Sequence, residues 1–189
     1  MMYNQTLSLP QAITEKTWVR DAATVALASL LISAFAPLAI TLPFSPVPIA
    51  TQSHVILFIG ALLGRRKGAM AVLAFLFQAA IGLPVLSGGR GGILCFVGPT
   101  AGYLVGYVVA AYVTGMLFER MKSRTPAKMF GALAIGNIAI YLFGCAHLAS
   151  FLGASRAIAL GVLPFLAGDL LKTLFCTQVL KKLSSFRRA

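Results

Sequence analysis

Apolar positions gather into six long stretches separated by short polar or basic links, at about 22–42, 49–64, 68–86, 99–118, 129–150 and 157–180. A helix needs roughly 20 apolar residues to cross a ~30 Å hydrocarbon layer, and most of the stretches approach that length. The pattern predicts an all-α polytopic membrane protein: one domain with a polar segment over 1–21, a six-helix bundle over about 22–180 and a basic tail over 181–189. The second stretch is short for a span, which predicts a partly re-entrant segment or a flanking buried loop. Composition agrees, since 59% apolar and 11% charged residues, with a mean hydropathy of +0.89, exceed what a soluble core can hide.

The net charge of +12 suggests nucleic acid until the basic residues are placed. Lys16 and Arg20 precede the first stretch; Arg65, Arg66 and Lys67 join the second to the third; Arg120, Lys122, Arg124 and Lys128 join the fourth to the fifth; Lys181, Lys182, Arg187 and Arg188 close the chain. These 13 of the 16 cations fall on one side, against Arg90 and Arg156 on the other, with Lys172 inside the last stretch. The asymmetry places both termini in the cytoplasm of a multi-pass cell-membrane protein. It makes anionic lipid the natural partner of the basic side and removes the need for nucleic acid. Ala34-Phe35-Ala36 mimics a signal-cleavage site, but Pro37 follows it, so the first helix is expected to stay uncleaved.

Catalytic and metal constellations are nearly absent. Cys95, Cys145 and Cys176 are scattered, His54 and His147 are the only histidines, and the chain holds four acids. Both histidines read as packing residues rather than ligands. No phosphate-binding G-x-x-x-x-G-K-[ST] occurs, so driving energy must come from another chain. Neither an enzyme nor a resident cofactor is expected.

Two connections opposite the basic side carry unusual chemistry. Pro43-Phe44-Ser45-Pro46-Val47-Pro48 forbids helix and makes a stiff elbow. The run from Gly82 to Gly92 sets five glycines around Arg90, which reads as a mobile lid with an anion-seeking tip or as a plain flexible loop. In the fourth stretch Gly102, Gly106 and Ala110 recur every four residues, a smooth face for internal packing. Ala22 and Ala26 repeat the spacing in the first, beside Ser29 and Ser33, where internal packing and docking to another membrane protein remain alternatives.

Asp169 is the one acidic residue after Glu119, and it shares an apolar stretch with Lys172, three residues on and therefore on the same helix face. Charges there are expensive and face a partner or a cavity. The pair is either a lock between helices or a polar hook for a ligand. Pro164 frees the carbonyl of Leu160 and should bend the helix beside the pair.

Four blocks together resemble a known family: Pro46-Val47-Pro48-Ile49 with Gln52; Gly82-Leu83-Pro84-Val85 followed by Gly88-Gly89 and Gly91-Gly92; Gly98-Pro99-Thr100 with Gly102-Tyr103; and Pro164-Phe165-Leu166 with Gly168-Asp169-Leu170-Leu171-Lys172. In content and order they are similar to BioY, the biotin-specific S component of energy-coupling factor transporters. Ala50, Thr51 and Ala101 depart from the pattern expected there. The resemblance implies a substrate-capture subunit working with a membrane coupling protein and two cytoplasmic ATPases, which alone would use ATP. It also implies an Ala-x-x-x-Ala docking face, which Ala22 and Ala26 fit. Biotin's ureido group would be met by Asp169 and Lys172 and its carboxylate by Arg90. Gln52, Gln78, Tyr103 and Asn137 would either complete the shell or bond helix to helix. The alternatives are an S-type subunit for another small vitamin and a membrane scaffold in which the charged pair only ties helices.

Overall fold

A computed structural model describes residues 10–35, 38–40 and 42–186. Ala36, Pro37, Arg187 and Arg188 lie outside the described residues. Helices dominate: α1 (Pro10–Ala34), α2 (Gln52–Ala80), α3 (Ala101–Arg120), α4 (Pro126–Leu152), α5 (Ala154–Gly161) and α6 (Leu166–Phe186). The strands β1 (Ala39–Ile40) and β2 (Ile49–Ala50) pair antiparallel around the proline-rich elbow.

The second and third apolar stretches are one element interrupted at Gly64, whose φ of 81° suits glycine alone. The chain reverses there, so that Gly68 comes to lie against Gly60 of the other arm. Arms 52–63 and 65–80 are thus two rods joined by a single turn residue. The junction is pinned electrostatically: the backbone N–H of Arg65 donates to Glu119 Oε1 at 2.8 Å, its Nε lies 3.3 Å from Glu119 Oε2, and Lys67 pairs with Asp21 of α1. The first arm rises only about 18 Å at 1.5 Å per residue. The elbow, with Val47 and Ala50 buried, fills the remaining depth.

Glycines let the rods approach. A Cβ on Gly60 would strike the Ala111 carbonyl, one on Gly115 the backbone of Arg65, and one on Gly106 would lie 3.0 Å from Ile140 Cα. Gly102 faces His147 and the Phe143 carbonyl in the same way. So α3 lies at the centre, between α2 and α4. The last apolar stretch is broken outright at Pro164 where the sequence predicts only a bend, because the ring also crowds the preceding turn: α5 ends at Gly161, a 3-10 turn covers Leu163–Phe165, and α6 follows. At the ends, α1 begins within the segment expected to be polar and α6 continues into the expected basic tail, because helical hydrogen bonding does not stop at the edge of an apolar pattern.

Polarity is distributed as lipid demands. Leu27, Phe77, Leu142, Leu171 and Phe175 point outward, while Gln52, His54, Thr114, Asn137, Asp169 and Thr173 are buried. Ala101–Arg120, Pro126–Leu152 and Ala154–Ser184 are long and apolar enough to cross a membrane.

Candidate ligand site

The site lies where α6 starts, beneath the elbow and beside the helix break. Asp169 occupies the first turn of α6, near the positive end of the helix. Lys172 Nζ donates to Asp169 Oδ1 at 3.1 Å and to the Ala50 carbonyl of β2 at 3.1 Å. On the other side of the carboxylate, Asn137 Nδ2 donates to Oδ2 at 3.1 Å and the Tyr141 hydroxyl donates to the same oxygen at 2.5 Å. Asn137 and Tyr141 are four residues apart on α4 and share a face. Below the pair, the Thr173 hydroxyl donates to the Asp169 carbonyl at 2.7 Å, so its oxygen accepts from His54 Nε2 at 3.1 Å. His54 Nδ1 stands 3.9 Å from Asp169 Oδ1. The charged pair therefore sits in a network drawn from β2, α2, α4 and α6.

Proton and lone-pair counts show what is left over. A carboxylate offers about four acceptor sites and an ammonium three donors. Three acceptor sites of Asp169 and two donors of Lys172 are occupied. Asn137 is buried and its Oδ1 has no partner among the described residues. One acceptor site on the aspartate, the unpaired asparagine oxygen and one donor on the lysine remain.

Two contiguous cavities open beside these groups. The inner one is lined by Asn137, Tyr141, Phe165 and Asp169, the outer one by Gln52, Ser87, Arg90 and Cys95; Val47, Pro48, Tyr103 and Tyr107 border both. Tyr103 forms the wall, its hydroxyl donating to the Gly161 carbonyl at 2.9 Å and its ring lying where a Cβ on Gly144 would be. Pro164 matters here. Its missing N–H leaves the Leu160 carbonyl without a helical donor, and Ser45 of the elbow supplies one at 2.8 Å. The elbow is thereby fastened to the helix break over the inner cavity.

The glycine-rich segment around Arg90 is a defined turn rather than a mobile loop. Gly88 and Gly89 take φ of 76° and 70°, Leu86 N–H donates to the Arg90 carbonyl at 2.9 Å, and Leu86 and Ser87 are buried. Arg90 is exposed at the outer cavity, with Nε donating to the Ser87 carbonyl at 3.2 Å and the terminal nitrogens directed to no described partner. Gln52 is buried beneath this turn, donating to the Val85 carbonyl at 3.0 Å and accepting from Ser87 Oγ at 3.3 Å.

Of the residues singled out in the sequence, Asp169, Asn137, Tyr103, Gln52 and Arg90 line this space, and Lys172 stands behind Asp169 as its ion-pair partner. Gln78 does not. It donates to Ser29 Oγ at 3.0 Å and accepts from Ser33 Oγ at 2.8 Å, tying α2 to α1. With Ser29 and Ser33 turned inward, Ala22 and Ala26 are exposed on α1. Tyr141, His54 and Thr173 also reach the pair, though the sequence does not mark them as site residues. The four-residue step from Asn137 to Tyr141 is a signal that points to the first, whereas nothing local points to the other two.

The BioY family model matches residues 4–189. The chain is 43% identical over 163 residues to the biotin transporter BioY of Rhizobium etli, covering 81% of this chain and 87% of that protein. It is 39% identical over 180 residues to the biotin transporter BioY of Rhodobacter capsulatus, covering 83% and 93%. The fold is similar to a crystal structure of the S-component for biotin from an ECF-type ABC transporter, with a TM-score of 0.80, 28% identity and coverage of 90% of this chain and 93% of that one. With the match running nearly end to end, the chain belongs to the BioY family.

Proposed function

We propose that the protein is a transport subunit, not an enzyme, which captures biotin in the paired cavities and delivers it through an ATP-driven energy-coupling module. The observation that carries this reading is the complement of unused polar groups beside Asp169. Biotin's ureido ring offers two N–H donors and one carbonyl acceptor, matching the free acceptors on Asp169 and Asn137 and the free donor on Lys172. Tyr103, Tyr107 and Phe165 supply apolar surface for the bicycle, and Arg90 at the outer cavity suits the carboxylate. Six spans cross the membrane, formed by α1, the first arm of α2 with the elbow, its second arm, α3, α4 and the interrupted α5–α6; both termini are cytoplasmic, and the site opens to the outer side, in keeping with the charge asymmetry. Exposed Ala22 and Ala26 form the docking face for the coupling protein, with the two ATPases beyond it, and anionic lipid surrounds the basic side.

Equilibrium binding of labelled biotin to the purified chain in detergent tests the assignment. Saturable binding should be lost or weakened about 10- to 100-fold by Asp169→Asn or Lys172→Ala, because each removes a charge-assisted bond and strands its buried partner. Normal binding by both inserted variants would place the site elsewhere. Competition by another vitamin in preference to biotin would reassign the ligand, and no saturable binding at all would leave the pair as a structural tie.

A further inference from the structure

The connection from α3 to α4 carries four cations in nine residues: Arg120, Lys122, Arg124 and Lys128. Among the described residues the carboxylates at this end are taken, Glu119 by Arg65 at 3.3 Å and Asp21 by Lys67. Lys128 Nζ donates to the Ser123 hydroxyl at 2.9 Å, and no described carboxylate lies within ion-pair distance of the cluster. Arg120, Lys122 and Lys128 rim an apolar groove whose walls include Leu117, Gly131 and Ile135. Gly131 is informative: a Cβ there would meet nothing, so no helix contact requires the glycine, unlike Gly102 or Gly106. Its effect is to keep the groove open. Ile135, one turn further, is 49% exposed, and the groove runs onto the outward apolar face of Ile138 and Leu142.

We propose that this groove binds one anionic phospholipid, its phosphate on Arg120, Lys122 and Lys128 and an acyl chain along Leu117, Gly131 and Ile135. Three cations on one groove, with no counter-charge among the described residues, make an electrostatic well for a phosphate, and the open apolar wall beside it distinguishes a lipid from a free anion. The inference rests on the membrane reading and is independent of the biotin site.

Native mass spectrometry of the full chain in detergent, titrated with phosphatidylglycerol or phosphatidylcholine of identical acyl chains, tests it. One phosphatidylglycerol should be retained, about tenfold or more tightly than phosphatidylcholine, and Arg120→Gln/Lys122→Gln/Lys128→Gln should weaken it by roughly a hundredfold. Gly131→Leu should weaken it with every charge in place, by filling the groove. Arg66→Gln/Arg156→Gln/Lys181→Gln, an equal loss of charge elsewhere, should leave it unchanged. Equal retention of the two lipids, an equal loss in the scattered variant, or full retention by Gly131→Leu would overturn the site. Biotin binding by each variant reports that the bundle is intact. Lipid selectivity in a chain that binds no biotin would overturn only the biotin assignment.

Discussion

At the scale of single residues, Asp169 is held by groups that do different work. Lys172 neutralises its charge, while the Tyr141 hydroxyl and Asn137 amide aim the carboxylate from α4. Tyr141→Phe removes one donor and keeps the ring, so biotin binding should weaken about 5- to 30-fold, less than for Asp169→Asn, with little change in melting temperature. A thermal loss as large as the binding loss would make Tyr141 a structural tie instead. Arg90 permits a cleaner test, because its terminal nitrogens serve no described partner. Arg90→Ala should weaken free biotin by about 10-fold or more yet barely affect biotin amide, which offers no negative charge. Equal losses for acid and amide would remove Arg90 from carboxylate recognition.

At the scale of elements, glycines decide how closely helices pack, and the same residue type has opposite consequences at different positions. A Cβ at Gly144 falls on the ring of Tyr103, the wall between the two cavities. Gly144→Ala should therefore cost about 1–3 kcal/mol through overpacking and weaken biotin binding by displacing that wall. Gly131→Ala meets open space and should leave the melting temperature unchanged or raise it. A thermal ramp of the two detergent-solubilised variants compares them directly; similar shifts would mean that α4 moves freely against α3. The break before α6 belongs to this scale as well. Proline opens the helix, and the carbonyls of Leu160 and Gly161, freed of helical donors, become attachment points for Ser45 and Tyr103, so one backbone defect fastens both the elbow and the cavity wall.

At the scale of the molecule, the two faces of α1 separate its tasks. Ser29 and Ser33 bond to Gln78 inside the bundle, and Ala22 and Ala26 face outward with Trp18 and Leu30. A bulky side chain on the outer face should keep a partner helix at a distance without disturbing a site built from β2, α2, α4 and α6. Ala22→Trp or Ala26→Trp should abolish co-purification with an energy-coupling module and ATP-dependent uptake, and leave equilibrium biotin binding within about twofold. Retained co-purification would move the docking surface elsewhere, and parallel loss of binding would mean that these alanines support the bundle.

Chain chemistry alone determined the membrane class, the six apolar stretches, the contact of Asp169 with Lys172 and a departure from straight helix at Pro164. Each follows from local stereochemistry or from the cost of charge in hydrocarbon, and neither needs a distant residue. The resemblance of four motif blocks added the family, which the near end-to-end match shows. Only the tertiary structure decided which polar groups surround the aspartate. His54 is 115 residues away in the chain, Tyr141 is 28, and Gln78, polar and within an apolar stretch like Asn137, is turned to α1. Helical periodicity gives a residue a face but not the neighbour that face meets. That neighbour is set by the reversal at Gly64 and by the close approaches at Gly60, Gly106 and Gly144, where backbones and rings from separate stretches come into contact.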